Sequence, residues 1–148
     1  MSREQNLATL ARGGEIAATR DFAGLSEVFA DDVVDHDAAA GAPNGAAGVI
    51  AWWQSVGTAF PDFEMDVDVV VSDDDSIAFA YRLSGTHEGE FLDRAPTGRR
   101  VEVRGLQIAR FEDGRIVERW GATDLLGLLT QLDLVPGQPP ALTGNVTG

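Results

Sequence analysis

The sequence predicts an α+β domain in which helices come first and an antiparallel sheet follows. Apolar residues recur at helical spacing up to Phe60, and from Phe63 onward they alternate with polar residues at a period of two. The dipeptide Asp113-Gly114 then separates two long alternating segments, which is typical of a tight β-hairpin. We therefore expect a cone-shaped barrel, in which a curved antiparallel sheet wraps over the N-terminal helices and encloses a pocket.

Leucine, isoleucine and alanine at helical spacing predict the first helix, although two adjacent glycines weaken it. Aspartate is a preferred helix cap, so Asp21 is expected to begin a short helix that extends to Phe29. The valines and tryptophans of the next helix share one face, and Pro61 ends it. The segments before the sheet are predicted to be a helix over Arg3–Thr19, the short helix, an extended piece over Asp31–Asp37, a loop over Ala38–Gly45 and a helix over Ala46–Phe60.

Strands and a final helix make up the second part of the chain. In the first strand, Met65, Val67 and Val69 are expected to share one face because they lie two residues apart. Residues Val135–Gly148 contain three prolines and three glycines and are predicted to be a flexible tail, which leaves one domain over residues 1–134. The predicted strands are Phe63–Ser72, Ser76–His87, Arg99–Phe111 and Arg115–Thr123, and the final helix is Leu125–Leu132.

Composition narrows the possible functions. The chain has 148 residues, a formal net charge of −13, no cysteine and no lysine. A chain this acidic has no basic surface with which to bind nucleic acid or an anionic membrane, and it has no apolar run of membrane-spanning length. We therefore expect a cytoplasmic protein. Thiolate and Schiff-base chemistry are excluded, so carboxylates and histidines are the candidate catalytic groups.

Asp124 is the main candidate among the carboxylates. It lies where the strand Arg115–Thr123 meets the helix Leu125–Leu132, beside apolar residues and near Trp120. In a dry pocket its pKa would be raised by loss of solvation, and it could transfer protons near neutral pH. The alternative is a structural role, because aspartate is also a preferred N-cap for a helix.

Several motifs from Ala59 onward occur in a characteristic order. They are Ala59-Phe60-Pro61-Asp62, Gly85-Thr86-His87-Glu88-Gly89-Glu90-Phe91, Ala95-Pro96-Thr97-Gly98-Arg99 and Arg110-Phe111-Glu112-Asp113-Gly114-Arg115-Ile116-Val117-Glu118-Arg119-Trp120, followed by Asp124. This order resembles that of the SnoaL-like polyketide cyclases, within the nuclear-transport-factor-2-like superfamily of cone-shaped folds. The similarity extends from Leu7 to Leu134.

The resemblance implies a reaction without metal or organic cofactor. An aspartate at the position of Asp124 would take a carbon-bound proton from a polyketide ester, and the enolate would close a ring by intramolecular aldol addition. The ligand would be a polyketide-like or other small apolar carbonyl compound, and Gln107 would line the pocket. Because this fold hosts many activities, three alternatives stay open: assistance in polyketide hydroxylation, isomerase, dehydratase or hydrolase activity, and a non-catalytic binding or dimer-forming module.

The other polar candidates are Gln107 and the two histidines. Gln107 lies on an apolar strand face, where it could bind a substrate carbonyl or make a cross-strand hydrogen bond. His36 ends the short extended piece, where the pocket opens in the family, and is assigned a catalytic role. His87 could contact substrate or hold the loop Glu88–Gly98. The histidines lack a His-x-x-x-His spacing, so we expect no metal site.

Aromatic residues are the remaining candidates for substrate contacts. Trp53 could belong to the core or the pocket, and Phe91 lies in one of the family motifs. Tyr81 could donate a hydrogen bond into the pocket or be a half-buried strand residue. Trp120 shares an expected face with Asp124 and could form a wall of the pocket.

Alternating apolar residues on the other face of the sheet predict a homodimer formed through the sheets, as the resemblance also implies: Leu106, Ile108 and Val117.

Overall fold

A computed structural model of the chain describes residues 2–134, so the predicted tail Val135–Gly148 lies outside the described residues. The elements are α1 (Arg3–Thr19), a 3₁₀ helix (Phe22–Glu27), β1 (Phe29–Asp35), α2 (Ala46–Ala59), β2 (Glu64–Ser72), β3 (Ser76–Thr86), β4 (Arg100–Glu112), β5 (Arg115–Thr123) and α3 (Leu125–Gln131). The predicted α+β class is confirmed.

The sheet has five strands in the order β1-β5-β4-β3-β2. Strands β2 to β5 form the predicted antiparallel meander. The expectation of a wholly antiparallel sheet is wrong, because β1 pairs with β5 in parallel. Phe29, which the sequence placed in a helix, instead begins β1 opposite Ile116, so pairing with β5 overrides the local helical pattern. The sheet does not close into a barrel, since β1 and β2 remain its two edges.

The β4–β5 hairpin forms as predicted. Asp113 and Gly114 both have positive φ, at 50° and 76°. Two consecutive central residues in this region are typical of the tight hairpin turn whose twist matches that of the strands. The turn therefore fixes where pairing between β4 and β5 begins.

A β-bulge in β5 decides which of its side chains face inward. Phe111 pairs with Ile116, but the next residue of β4, Arg110, pairs with Glu118, so Val117 is the extra residue. Because side chains alternate along a strand, one extra residue exchanges the two faces beyond it. Arg119 is thereby placed opposite the fully buried Ala109.

The same bulge places Trp120 opposite the exposed Ile108, on the outer face of the sheet. The prediction that Trp120 forms a wall of the pocket is therefore wrong. That prediction assumed that side chains alternate between the two faces of the strand without interruption from Ile116 to Asp124. Strand β2 has a similar irregularity between Val67 and Val69, so these two residues do not share the predicted face.

The helices cover one face of the sheet, as predicted. α1 packs against β2 and β3, α2 against β1, and α3 against β4. We call this the inner face, and the core lies between it and the helices. Core residues come from both layers and include Ile16, Phe22, Leu25, Val56, Ile77, Ala109, Phe111 and Ile116. On the opposite, outer face, large apolar residues are exposed: Val69, Val71, Leu106, Ile108 and Trp120.

Candidate active site

A cavity of about 960 Å³ opens between α2, β1, the loop that follows β1 and the inner face of β5. Its apolar walls include Val33, Val49, Trp52, Trp53 and Ala122. A volume of this order can enclose a ligand of several fused rings. The pocket expected inside the cone is therefore present in the structure.

A polar cluster of Arg119, Asp35 and Gln107 lies at the inner face of the sheet. The Arg119 Nη1 donates to Asp35 Oδ1 over 2.6 Å, and its Nε donates to Gln107 Oε1 over 3.1 Å. The side chains of Arg119 and Asp35 are only 16% and 12% exposed. Both line the cavity, and Arg119 is the sole cation among the lining residues that the structure describes. The cluster thus presents one fixed guanidinium to the cavity.

Two features of β5 bring Arg119 to this position. The bulge at Val117 turns its side chain inward, and Gly121, two residues further along the strand, leaves room for the guanidinium. A β-carbon on Gly121 would overlap the Arg119 Nη2. Glycine inside a strand often marks such a close approach.

A second glycine makes room for Tyr81. The Tyr81 ring crosses Gly105 on the neighbouring strand, and a β-carbon at Gly105 would overlap the phenol. The Tyr81 hydroxyl lies 2.7 Å from Thr123 Oγ1, and either oxygen can be the donor. Tyr81 and Thr123 both line the cavity, so the hydroxyl pair is a further polar feature of its wall.

The cavity is acidic apart from Arg119. Asp31, Asp32 and Asp37 line it in addition to Asp35. Asp37 also accepts a hydrogen bond from the Gly121 N–H over 2.8 Å, which ties the end of β1 to β5. The carboxylates of Asp31, Asp32 and Asp37 disfavour a negatively charged group that lies away from Arg119.

Asp124 does not lie in a dry pocket. It is exposed, and its Oδ1 accepts a hydrogen bond from Gly127 N over 2.9 Å as the N-cap of α3. The expectation that it is buried near Trp120 is wrong, because Trp120 lies on the outer face. Its chain neighbours Thr123 and Leu125 line the cavity, whereas Asp124 itself does not.

His36 lies on the outer face rather than at the pocket opening. Asp35 points inward to Arg119, so alternation directs the next residue outward. The His36 ring stacks on Trp120 with centroids 4.7 Å apart, and its Nε2 lies 2.6 Å from Glu118 Oε2. The hydrogen bonds from His36 and then Arg110 lower the pKa of Glu118. The predicted placement of His36 in the pocket is therefore wrong.

His87 is fully buried and holds the loop that follows β3. Its Nδ1 accepts a hydrogen bond from Thr97 N over 3.2 Å, and its carbonyl accepts one from Gly98 N over 2.8 Å. Burial lowers the pKa of the imidazole below its ordinary value. His87 does not line the cavity, and the structure matches the loop-holding interpretation.

Phe91 is also buried, beside Trp52 and Phe60 with ring centroids 5.9 and 5.5 Å away. It lines a separate apolar void of about 30 Å³ rather than the main cavity. Among the predicted substrate contacts, Tyr81 and Trp53 line the main cavity, and Gln107 is joined to it through Arg119.

Arg119, Asp35 and Thr123 were not singled out from the sequence. A signal was present, since Gly105 and Gly121 interrupt strands whose other residues fit an alternating pattern. Each glycine proves to accommodate one polar side chain of the cavity.

Residues 2–134 contain neither a cluster of metal ligands nor a helix that could span a membrane. No group of three or more histidine, aspartate or glutamate side chains in this range is arranged to hold a metal ion. None of the helices described has both the length and the apolar character that crossing a membrane requires.

Comparisons with known proteins agree with this architecture. IdmH from Streptomyces antibioticus, a candidate polyketide cyclase, is 34% identical with a TM-score of 0.74, and the match covers 87% of this chain and 99% of IdmH. AclR from Streptomyces galilaeus, a candidate hydroxylase, is 25% identical with a TM-score of 0.81, covering 99% of this chain and 92% of AclR. A candidate SnoaL-like polyketide cyclase from Jannaschia sp. CCS1 is 27% identical with a TM-score of 0.76, covering 90% of this chain and 94% of that protein.

No curated protein matches the chain. The model of the family described as SnoaL-like polyketide cyclase, in contrast, matches residues 9–132, which is most of the sequence. This chain therefore belongs to the SnoaL-like polyketide cyclase family.

Proposed function

We propose that this protein closes a ring in a polyketide-like ester, or in a related neutral carbonyl compound, by intramolecular aldol addition. The main supporting observation is the large apolar cavity with polar groups concentrated on one wall, in a chain of this family. The acidic lining favours a neutral substrate over a carboxylate. The reaction consists of proton transfers and carbon–carbon bond formation, so it requires no redox or group-carrying cofactor.

Asp124 is the proposed base. Its position between two cavity-lining residues, Thr123 and Leu125, gives its carboxylate access to a substrate that projects beyond the cavity. The C–H bond between two carbonyl groups breaks, its proton moves to Asp124, and its electron pair forms an enolate. The enolate carbon then bonds to a second carbonyl carbon of the same molecule. The resulting alkoxide takes the proton back, so substrate and product are isomers.

Product analysis tests this function. The purified protein is incubated with a linear aromatic β-keto ester that carries a second ketone within ring-closing distance. We expect a product of unchanged mass with a new carbon–carbon bond, detected by mass spectrometry and NMR. Recovery of only the open-chain ester, across neutral substrates that fit the cavity, would contradict the proposal.

A second candidate function is assistance in hydroxylation. It is favoured by the similarity to AclR, which is described as a candidate hydroxylase and matches 99% of this chain. The same incubation separates the two candidates when it contains dissolved O2 and a two-electron reductant such as NADH. Hydroxylation then adds one oxygen atom to the mass of the substrate while the second oxygen atom leaves as water, whereas aldol addition leaves the mass unchanged.

A further inference from the structure

We infer that Arg119 stabilises the enolate oxyanion of the proposed reaction, held in place by Asp35 and Gln107 and by the space above Gly121. This inference rests on the proposed function and names the group that would balance the negative charge that proton removal creates. Arg119 would then be a catalytic residue, and Asp35 and Gln107 would position it.

The donors of Arg119 are only partly used. A guanidinium has five N–H groups in a rigid fork and stays protonated throughout the working pH range. The hydrogen bonds to Gln107 and Asp35 use the Nε proton and one Nη1 proton. Within residues 2–134 the second Nη1 proton and both Nη2 protons have no acceptor, and Nη2 lies over Gly121 at the cavity wall. A carbonyl oxygen near this wall has donors available to it.

Burial makes this arrangement effective. With 16% of the Arg119 side chain and 12% of the Asp35 side chain exposed, the pair is only weakly screened by water. In the ground state the two charges balance, so a neutral ketone enters without an unpaired charge. When a proton leaves the substrate, the new negative charge on oxygen meets fixed donors that need no reorganisation.

The carboxylates around the cavity favour Arg119 as the group that stabilises the oxyanion. Asp31, Asp32 and Asp37 line the same cavity and repel negative charge. Arg119 is the one positively charged side chain among the lining residues that the structure describes, so the oxyanion is placed beside it, while Asp124 takes the proton. When the C–H bond breaks, its electron pair stays with the substrate and delocalises to form the enolate. The negatively charged enolate oxygen accepts hydrogen bonds from Arg119. The charge then moves to the alkoxide when the carbon–carbon bond forms, and the proton returns from Asp124.

Gly121→Ala is the sharpest variant, because it retains every charge. The only overlap that a β-carbon at this position makes is with the end of the flexible Arg119 side chain, and its backbone contact, the Leu106 carbonyl oxygen at 3.2 Å, needs a shift of a few tenths of an ångström, so the fold is expected to persist while the guanidinium moves. Gly14→Ala is the matched control, since a β-carbon there meets nothing within 4 Å. Arg119→Lys keeps the charge and loses the fork.

Outright removal of Arg119 leaves Asp35 as a buried unpaired charge and risks unfolding. The paired substitution Arg119→Met with Asp35→Asn removes both charges together and avoids that outcome. Its control is Arg104→Met, which removes an exposed arginine from the outer face of β4.

The probe is 4-nitrophenol, whose phenolate mimics an enolate oxyanion and absorbs visible light. Absorbance titrations at a series of pH values measure how strongly each protein prefers phenolate over phenol. We expect the wild type, Gly14→Ala and Arg104→Met to prefer phenolate by about tenfold or more, which is typical of a hydrogen bond to a charged group. Gly121→Ala, Arg119→Lys and the paired variant should lose most of that preference.

Equal phenolate preference in the wild type and Gly121→Ala, or no preference in the wild type, would overturn the inference about Arg119. This outcome is independent of the proposed function, because the probe is not turned over. Ring closure by the wild type together with an unchanged preference in Gly121→Ala would leave the function standing and reject Arg119 as the oxyanion donor.

Discussion

At the scale of single residues, two neighbouring side chains at the end of β1 point to opposite faces of the sheet. Asp35 points into the cavity and pairs with Arg119, whereas His36 points outward and stacks on Trp120. The sequence shows both as polar residues in an acidic segment, and nothing local distinguishes them. Their orientation depends on the register between β1 and β5, which is a long-range property. Tyr81 and Trp53, for which the sequence left a core or strand role open, line the cavity, whereas His36 does not.

His87 provides a residue-scale prediction about pH. Burial lowers its pKa in the folded protein below the ordinary value of 6.5, so the unfolded chain takes up a proton first as the pH falls. Its contribution to stability is present above pH 6.5 and is lost as the pH falls from there toward the lowered pKa. Urea unfolding across that range should show a declining free energy of unfolding, and His87→Gln should flatten the decline.

His36→Gln is the matched control, because His36 is exposed and is the only other histidine. The free energy of unfolding of His36→Gln should still decline over the same pH range. A His87→Gln profile that runs parallel to the wild-type profile would assign the pH dependence to other groups.

At the scale of elements, the sequence predicts where helices and strands lie better than it predicts which way their residues face. The limits of α1 and β5 agree with the prediction, β2, β3 and β4 differ by one residue at one or both ends, and β1 differs by two residues at each end. The bulge at Val117 has no local signature, because it arises from the pairing of β5 with β4. It nevertheless turns Arg119 to the inner face and Trp120 to the outer face, and it thereby decides which of the two side chains reaches the cavity.

The β4–β5 turn gives an element-scale prediction. Gly114 has φ of 76°, a region that costs a residue with a β-carbon about 1–2 kcal/mol. Gly114→Ala should therefore lower the free energy of unfolding by about that amount in urea denaturation. Gly14→Ala, within α1, should instead raise it by about 0.5–1 kcal/mol. Equal effects of the two substitutions would contradict the assigned turn geometry.

At the scale of the whole molecule, the outer face of the sheet is the main surface that the fold leaves uncovered. Leu106 is 64% exposed there, beside Ile108 and Trp120. Contiguous apolar surface of this kind usually marks an interface. We therefore propose that two copies associate through their sheets.

Sedimentation measures this association. The wild type should behave as a dimer at micromolar concentration, and Leu106→Glu should shift it to a monomer because it places a charge in the interface. Leu126→Glu is the matched control, since Leu126 is 67% exposed but lies on α3. A monomeric wild type, or equal dissociation by both substitutions, would contradict an interface at the outer face.

Hydrogen–deuterium exchange at the acidic carbon of an aromatic β-keto ester tests the central claim most directly, because it isolates proton abstraction from ring closure. Asn also caps helices well, so Asp124→Asn should retain the hydrogen bond to Gly127 and the stability of α3 while it removes the base. NMR in deuterated buffer should show exchange accelerated by the wild type and reduced by about 10²–10⁴-fold in Asp124→Asn. Wild-type exchange rates in a folded Asp124→Asn variant would show that this aspartate is only a helix cap and that the proposed mechanism is wrong.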